Sequence, residues 1–161
     1  MIQITFTLVL ISFCTNVALN LFGFLKRKFH LWDVYIDGSH HMHDGRRVFG
    51  NSTTLDGLFI CLAMSFGLIC VTHEWIFFFF PLCVYAGHLV GSFIKRRVGK
   101  KDGQFLLFID HADSITFVAL VAYFGHFSSL NESILAIIIT IMIQPLFTYI
   151  GFKLGLRESP L

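Results

Sequence analysis

Long apolar stretches separated by short polar ones make up nearly the whole chain. Ile2 to Leu25 carries only scattered hydroxyl and amide side chains. It is long enough to cross a hydrocarbon core, which takes about 20 residues, and it predicts a first spanning helix closed by Lys26, Arg27 and Lys28. No basic residue precedes this run and no small-x-small pattern follows it, so it reads as a span rather than a cleaved signal. Gly57 to Val71, flanked by Leu55, Asp56 and Thr72, predicts a short second span interrupted at Gly67, and Thr72 to Glu74 forms a tight external turn. Trp75 to Ile94 predicts the third span, with Trp75 as an interfacial anchor. Pro81 is tolerable there because neighbouring helices can satisfy the freed backbone. Gln104 to Phe127 predicts the fourth, with Asp110, His111 and Asp113 inside it. Asn131 and Glu132 end an outer loop, and Ser133 to Leu154 predicts the fifth, kinked or locally opened around Pro145.

Composition turns this pattern into a class. Hydrophobic residues make up 55% of the 161, and mean hydropathy is +0.73. A soluble domain is about 45 to 50% apolar even with glycine included. The expectation is an all-α integral membrane protein with about five transmembrane helices, forming a single polytopic domain over residues 1–161. Net charge is only +2, so the placement of the charges tells more than their sum. All 12 Lys and Arg residues fall in or beside the segments that follow spans one, three and five. By the positive-inside rule the N-terminus lies outside, the C-terminus is cytoplasmic, and residues 29–56 and 95–104 are cytoplasmic loops of a multi-pass cell-membrane protein. Cys14, Cys61, Cys70 and Cys83 sit within apolar runs without metal-site spacing and read as small fillers.

The polar residues that topology does not explain converge on the cytoplasmic side. His88, Ser92 and Lys95, spaced i, i+4 and i+7, form one helical stripe that leads to the Lys95-Arg96-Arg97 cluster. Asp110 and Asp113, three residues apart, share a helix face. Ionisable groups at that depth are costly and point to function. The bland alternative is an ion pair from these carboxylates to Lys95 or Arg96, since buried charges are usually paired. The loop at 29–56 is long, punctuated by Gly38, Gly45 and Gly50, and holds Asp44, Arg46 and Arg47. Trp32, Val34, Tyr35, Ile36, Val48 and Phe49 argue that it is ordered. Its His40, His41 and His43 read as solvated rather than as a metal tract.

Ser92-Phe-Ile-Lys-Arg96, a short loop and Asp110-x-x-Asp113 resemble the motif block of CTP-dependent phosphatidate cytidylyltransferases. Asp44-Gly-Arg-Arg-Val-Phe-Gly50 is similar to the loop motif of the archaeal branch, the CDP-archaeol synthases. The resemblance runs from about Asp37 onward and implies CTP and a membrane lipid phosphate as substrates, with the bilayer as the other partner and no nucleic acid. It implies Asp110, Asp113 and Lys95 as catalytic residues. Phosphate binding would fall to Asp44, Arg46, Arg47, Ser92, Lys95, Arg96 and Lys101, and Mg²⁺ or Mn²⁺ would be held by Asp110, Asp113 and His88. Carboxylates suit a hard cation, and the cations suit phosphate oxygens. Two positions and one stretch differ from the pattern. His88 stands where the family has a metal-binding aspartate, His111 replaces a glutamine, and Gly50 to Gly57 lacks an expected lysine and arginine. Two alternatives remain open. One is a small transporter with an ion or proton path through Asp110, Asp113, His88 and His111, and the other is a catalytically degenerate family member with a structural role.

Overall fold

The computed structural model describes residues 2–51, 53–100 and 109–156, with side chains from Ala112 onward in the last stretch. Five helices follow one another: α1 (Ile2–Lys28), α2 (Leu55–Thr72), α3 (Ile76–Arg97), α4 (Ile109–Phe124) and α5 (Leu130–Lys153). Among the described residues there is no strand; Tyr35 pairs with Thr54, and His41 with Arg47, as isolated bridges. Helices α1, α2, α3 and α5 are each long and apolar enough to cross a membrane. The chain is therefore an all-helical, multi-pass membrane protein.

Several helices run past the ends of their apolar stretches. Lys26 to Lys28 form the last turn of α1, and Lys95 to Arg97 form the last turn of α3 rather than the start of the 95–104 loop. Basic side chains complement the negative end of a helix dipole, and their long stems carry the charge to water, as at exposed Arg27 and Lys28, or to a protein partner, as where buried Lys26 meets Asp33 and Asp56, while the backbone stays helical. Asn131 and Glu132 are not loop residues but the first turn of α5, started by a reciprocal capping box between Ser129 and Glu132. Gly67 does not interrupt α2, and α5 runs through Pro145. In hydrocarbon, a broken helix leaves backbone groups that no water can satisfy.

α3 is the central helix, packed against α1, α2 and α4. Phe80 and Val84 of α3, Leu8 of α1, Ile115, Val118 and Ala122 of α4 and Ala136 of α5 are buried in one apolar cluster. Phe77, Phe80 and Phe127 meet edge to face with centroids 5.2 to 5.8 Å apart. Where lipid is as apolar as the side chains, association depends on close packing. Gly87 and Gly91, four apart on α3, provide it. A Cβ on Gly87 would lie 2.5 Å from the Asp113 carbonyl oxygen and 2.7 Å from Ser114 Cα, and one on Gly91 would lie 2.5 Å from Asp113 Oδ2. The α3 backbone thus rests directly on the turn of α4 that carries Asp113.

Substitutions at two helical glycines should have opposite effects. Gly87→Ala forces backbone apart and should lower the thermal midpoint in detergent. Gly67→Ala meets nothing within 4 Å and should stabilise α2 by about 0.5 to 1 kcal/mol through helix propensity. Thermal melts of the two variants beside the parent check both signs.

Candidate functional site

A cavity of about 510 Å³ opens between α1, the start of α2, α3, α4 and α5. Tyr85, His88, Ser92 and Lys95 of α3 line one wall, following the stripe expected from their spacing, and Asp113 of α4 stands beside them. Facing them are Phe13, Asn16, Val17 and Asn20 of α1 and Gln144, Phe147, Thr148 and Gly151 of α5. Each set recurs at helical spacing, so each helix presents one mixed polar and apolar stripe. Phe13 and Phe147 stack across the two helices with centroids 4.7 Å apart.

At the polar wall, three helices meet through one imidazole. His88 Nδ1 lies 3.5 Å from Asp113 Oδ2, and Nε2 is 2.6 Å from Asn16 Oδ1. The other carboxylate oxygen of Asp113 accepts from the Ser114 amide at 2.6 Å and the Ser114 hydroxyl at 2.9 Å. The Asp113 side chain is 7% exposed, whereas His88 keeps 32% toward the cavity. The described partner of Asp113 is therefore His88, not Lys95 or Arg96 as the ion-pair alternative supposed. Helical rotation explains this: Gly91 opens a gap in α3 that admits the carboxylate, and His88 lies one turn back on the same face. Asp110 is in the first turn of α4, and its side chain, like that of His111, lies outside the described residues, as does Lys101. Among the described residues no group of three His, Cys, Asp or Glu side chains is placed to hold a metal ion.

The 44–50 loop docks on the end of α3. Arg46 Nη1 donates to the carbonyls of Arg96 (3.1 Å) and Arg97 (2.8 Å), capping orphan acceptors at the helix end. Arg97 returns the contact, with Nη1 2.8 Å from Asp44 Oδ2 and Nη2 donating to the Arg47 carbonyl at 2.6 Å. Arg96 is buried, reaching the carbonyls of Phe49 at 3.5 Å and Lys100 at 2.6 Å. Asp44, Arg46, Arg47 and Arg96 do not line the cavity; His88, Ser92, Lys95 and Asp113 do.

The hub of this loop is a residue the motifs do not single out. Asp37 is buried and accepts from Arg47 Nη2 at 2.5 Å and from the amides of Ser39 (3.0 Å), Phe49 (3.1 Å) and Gly50 (3.4 Å). Arg47 also lies over the Tyr35 ring, 4.6 Å from its centroid, and bonds Asn51. Burial pushes the Asp37 carboxyl up, but the Arg47 hydrogen bond and the Phe49 and Ser39 amides outweigh it and bring it down to about 2. The Arg46 amide, and with it the Arg97 charge and hydrogen bond, outweigh the opposing effect of burial and hold Asp44 below its ordinary value. The Asp-Gly-Ser turn at 37–39 carried a local signal for this role, since Asp bonds the amide two residues on. Asn16, Asn20 and Gln144 also line the cavity, and an amide inside an apolar span is a comparable signal.

A family model described as CDP-archaeol synthase, CarS-like, matches residues 1–161. The chain belongs to the CDP-archaeol synthase family. A CDP-archaeol synthase of Staphylothermus marinus is 32% identical, covering 77% of each chain. That of Methanosphaerula palustris is 29% identical over 78% of this chain and 88% of its own, and that of Sulfolobus acidocaldarius 26% over 78% and 82%. A solved structure described as an intramembrane enzyme for archaeal membrane lipids biosynthesis shares the fold. Its TM-score is 0.63 at 19% identity, covering 83% of this chain and 88% of that one. Membership in the CDP-archaeol synthase family makes the chain a member of an enzyme family of the membrane and supports CTP-dependent cytidylyl transfer to a lipid phosphate.

Asp37 makes the loop acid-sensitive. Its folded value, about 2, lies below the ordinary 3.8, so its stabilisation is complete above about pH 4 and is lost as pH falls through 2. Asp37→Asn should remove about 2 kcal/mol of loop stability at neutral pH. Limited proteolysis within residues 29–56 should accelerate in the variant and change less than in the parent between pH 4 and 2, the Asp44–Arg97 pair leaving a smaller residual dependence.

Proposed function

We propose that this cavity transfers the cytidylyl group of CTP to the phosphate of a membrane lipid, giving a CDP-activated lipid and pyrophosphate. The observation that carries the reading is the meeting of His88, Ser92, Lys95 and Asp113 with apolar walls from α1 and α5 in one cavity. A lipid phosphate needs an apolar neighbourhood for its chains, and a triphosphate needs cations and hydroxyls. This site supports both.

In this reading the lipid phosphate attacks the α-phosphorus of CTP and pyrophosphate leaves. The lipid phosphate is already ionised near neutral pH, so the protein's task is orientation and charge stabilisation. Lys95 neutralises phosphate oxygens as a point charge and Ser92 donates from the same helix face. Arg46, Arg47 and Asp44 hold the loop against the end of α3, and Arg96 braces it through Phe49, so their part is to shape the phosphate-facing rim. Lys101, from the basic cluster that follows α3 in the sequence, is a further candidate for phosphate binding. Asp113 and Asp110, on one face of α4, are the residues that would hold a divalent cation, with His88 beside Asp113. The donor set fits in kind, because a hard cation is commonly held by one or two carboxylates together with substrate phosphates. Such a cation would supply charge neutralisation at the phosphates. Imidazole at position 88 favours Mn²⁺ over Mg²⁺ relative to an all-oxygen site. In this reading the site faces the cytoplasm and the N-terminus lies outside, which the clustering of basic residues at this end of the bundle supports.

The test is incubation of purified protein with radiolabelled CTP, divalent metal and a panel of phosphatidic and archaetidic acids. Label in the organic phase is the expected result, and its absence for every lipid overturns the reading. Asp113→Asn should lower turnover by about 100-fold or more while the protein still folds. His88→Asp should raise activity with Mg²⁺ relative to Mn²⁺; equal activity in both metals and a fall in that variant would remove the assigned role of His88. A thiol tag after Leu161 should react only from the cytoplasmic side.

A further inference from the structure

The stretch just after α1 exposes apolar side chains in a part of the chain that composition reads as a solvated loop. Phe29 is 64% exposed, Leu31 54%, Trp32 92% and Val34 53%. Their backbone is nevertheless pinned. His30 adopts a left-handed φ of 52°, and His30 N and Leu31 N donate back to the carbonyls of Arg27 (3.3 Å) and Lys26 (3.0 Å). This is a Schellman arrangement that turns the chain off the axis of α1. At the other side, Leu55 N donates to the Val34 carbonyl at 2.9 Å and Ile36 N to the Thr53 carbonyl at 3.2 Å, tying the stretch to the start of α2. Buried Lys26 bridges Asp33 at 2.8 Å and Asp56 at 2.5 Å. Both ends are thus held at the ends of two helices long and apolar enough to span a membrane.

We propose that residues 27–34 form a collar lying in the plane of the membrane interface, with Phe29, Leu31, Trp32 and Val34 in the headgroup and acyl boundary and Arg27 and Lys28 on anionic lipid headgroups. Continuity supports a lipid surface as the partner. Leu21 and Leu25 are exposed on α1 at four-residue spacing, and Phe29 is the next position. Charge supports the same partner, because exposed Arg27 and Lys28 adjoin the apolar group and basic residues at this depth attract anionic leaflets. Aromatic rings that are apolar in body and polar at one edge favour the interface, and Trp75, 77% exposed before α3, stands at the opposite end of the bundle. The collar also borders the cavity: Arg27 Nη2 donates to the carbonyl of Leu156 at 2.9 Å, and Leu156 lines the cavity. The collar thus holds the cavity mouth at headgroup level and gathers anionic lipid beside it.

The two tryptophans allow a direct test. In Trp75→Phe protein, Trp32 alone reports. In vesicles containing anionic lipid, its emission should be blue-shifted and lost to lipids brominated high on the acyl chain, with little loss to aqueous iodide. Quenching by iodide and not by bromolipid would place the segment in water, and protection from both would mean that protein covers it; either overturns the collar. A second arm rests on the proposed transfer reaction. Lys28→Gln should raise the KM for lipid phosphate in anionic vesicles by about fivefold, leaving the KM for CTP unchanged. An unchanged lipid KM overturns the headgroup contact. The fluorescence arm needs no turnover, so a protein that quenches as expected but transfers nothing would fail the proposed reaction and not the collar.

Discussion

The contact on which the site depends is the approach of α3 to α4 across two glycines. Gly87 and Gly91 let the Asp113 backbone and carboxylate occupy space that any side chain on α3 would fill. That contact fixes the distance from His88 to Asp113, and through His88 it ties α4 to Asn16 of α1. A carboxylate this deep in an apolar bundle requires compensating partners. Ser114 and His88 supply them from opposite sides. Packing without side chains at one point therefore permits a charged group to be held at the next.

A second interlocking unit sits at the end of α3. The helix terminus leaves carbonyls without partners, and Arg46 meets two of them, while Arg97 reaches back to Asp44 and to the Arg47 carbonyl. Asp37 organises the same loop from beneath through Arg47 and three backbone amides. In this arrangement the arginines of the Asp-Gly-Arg-Arg stretch bind the protein itself. Their contribution to the proposed reaction is the shape they give the loop at the end of α3. The cavity itself divides its labour by helix: α3 and α4 bring titratable groups, and α1 and α5 bring amides and aromatic rings.

Much of the architecture was legible in the sequence because hydrocarbon imposes simple demands. Length and hydropathy determined the helices, the His88, Ser92 and Lys95 spacing determined that one face of α3 would carry them, and the Asp-Gly-Arg-Arg and Asp-x-x-Asp motifs pointed to the family. Helix ends were less legible, as at Lys26 to Lys28 and Lys95 to Arg97, because long basic side chains let a helix extend past its apolar stretch. What only the tertiary structure decided was partnership. Whether Asp113 meets Lys95 or His88 depends on the rotation and separation of α3 and α4, which a pair of glycines sets. Which carbonyls Arg46 meets depends on how a loop folds around Asp37. Periodicity fixes which residues share a face of one helix; it says nothing of which face of a neighbour they meet, because that choice is made by packing between segments distant in the chain.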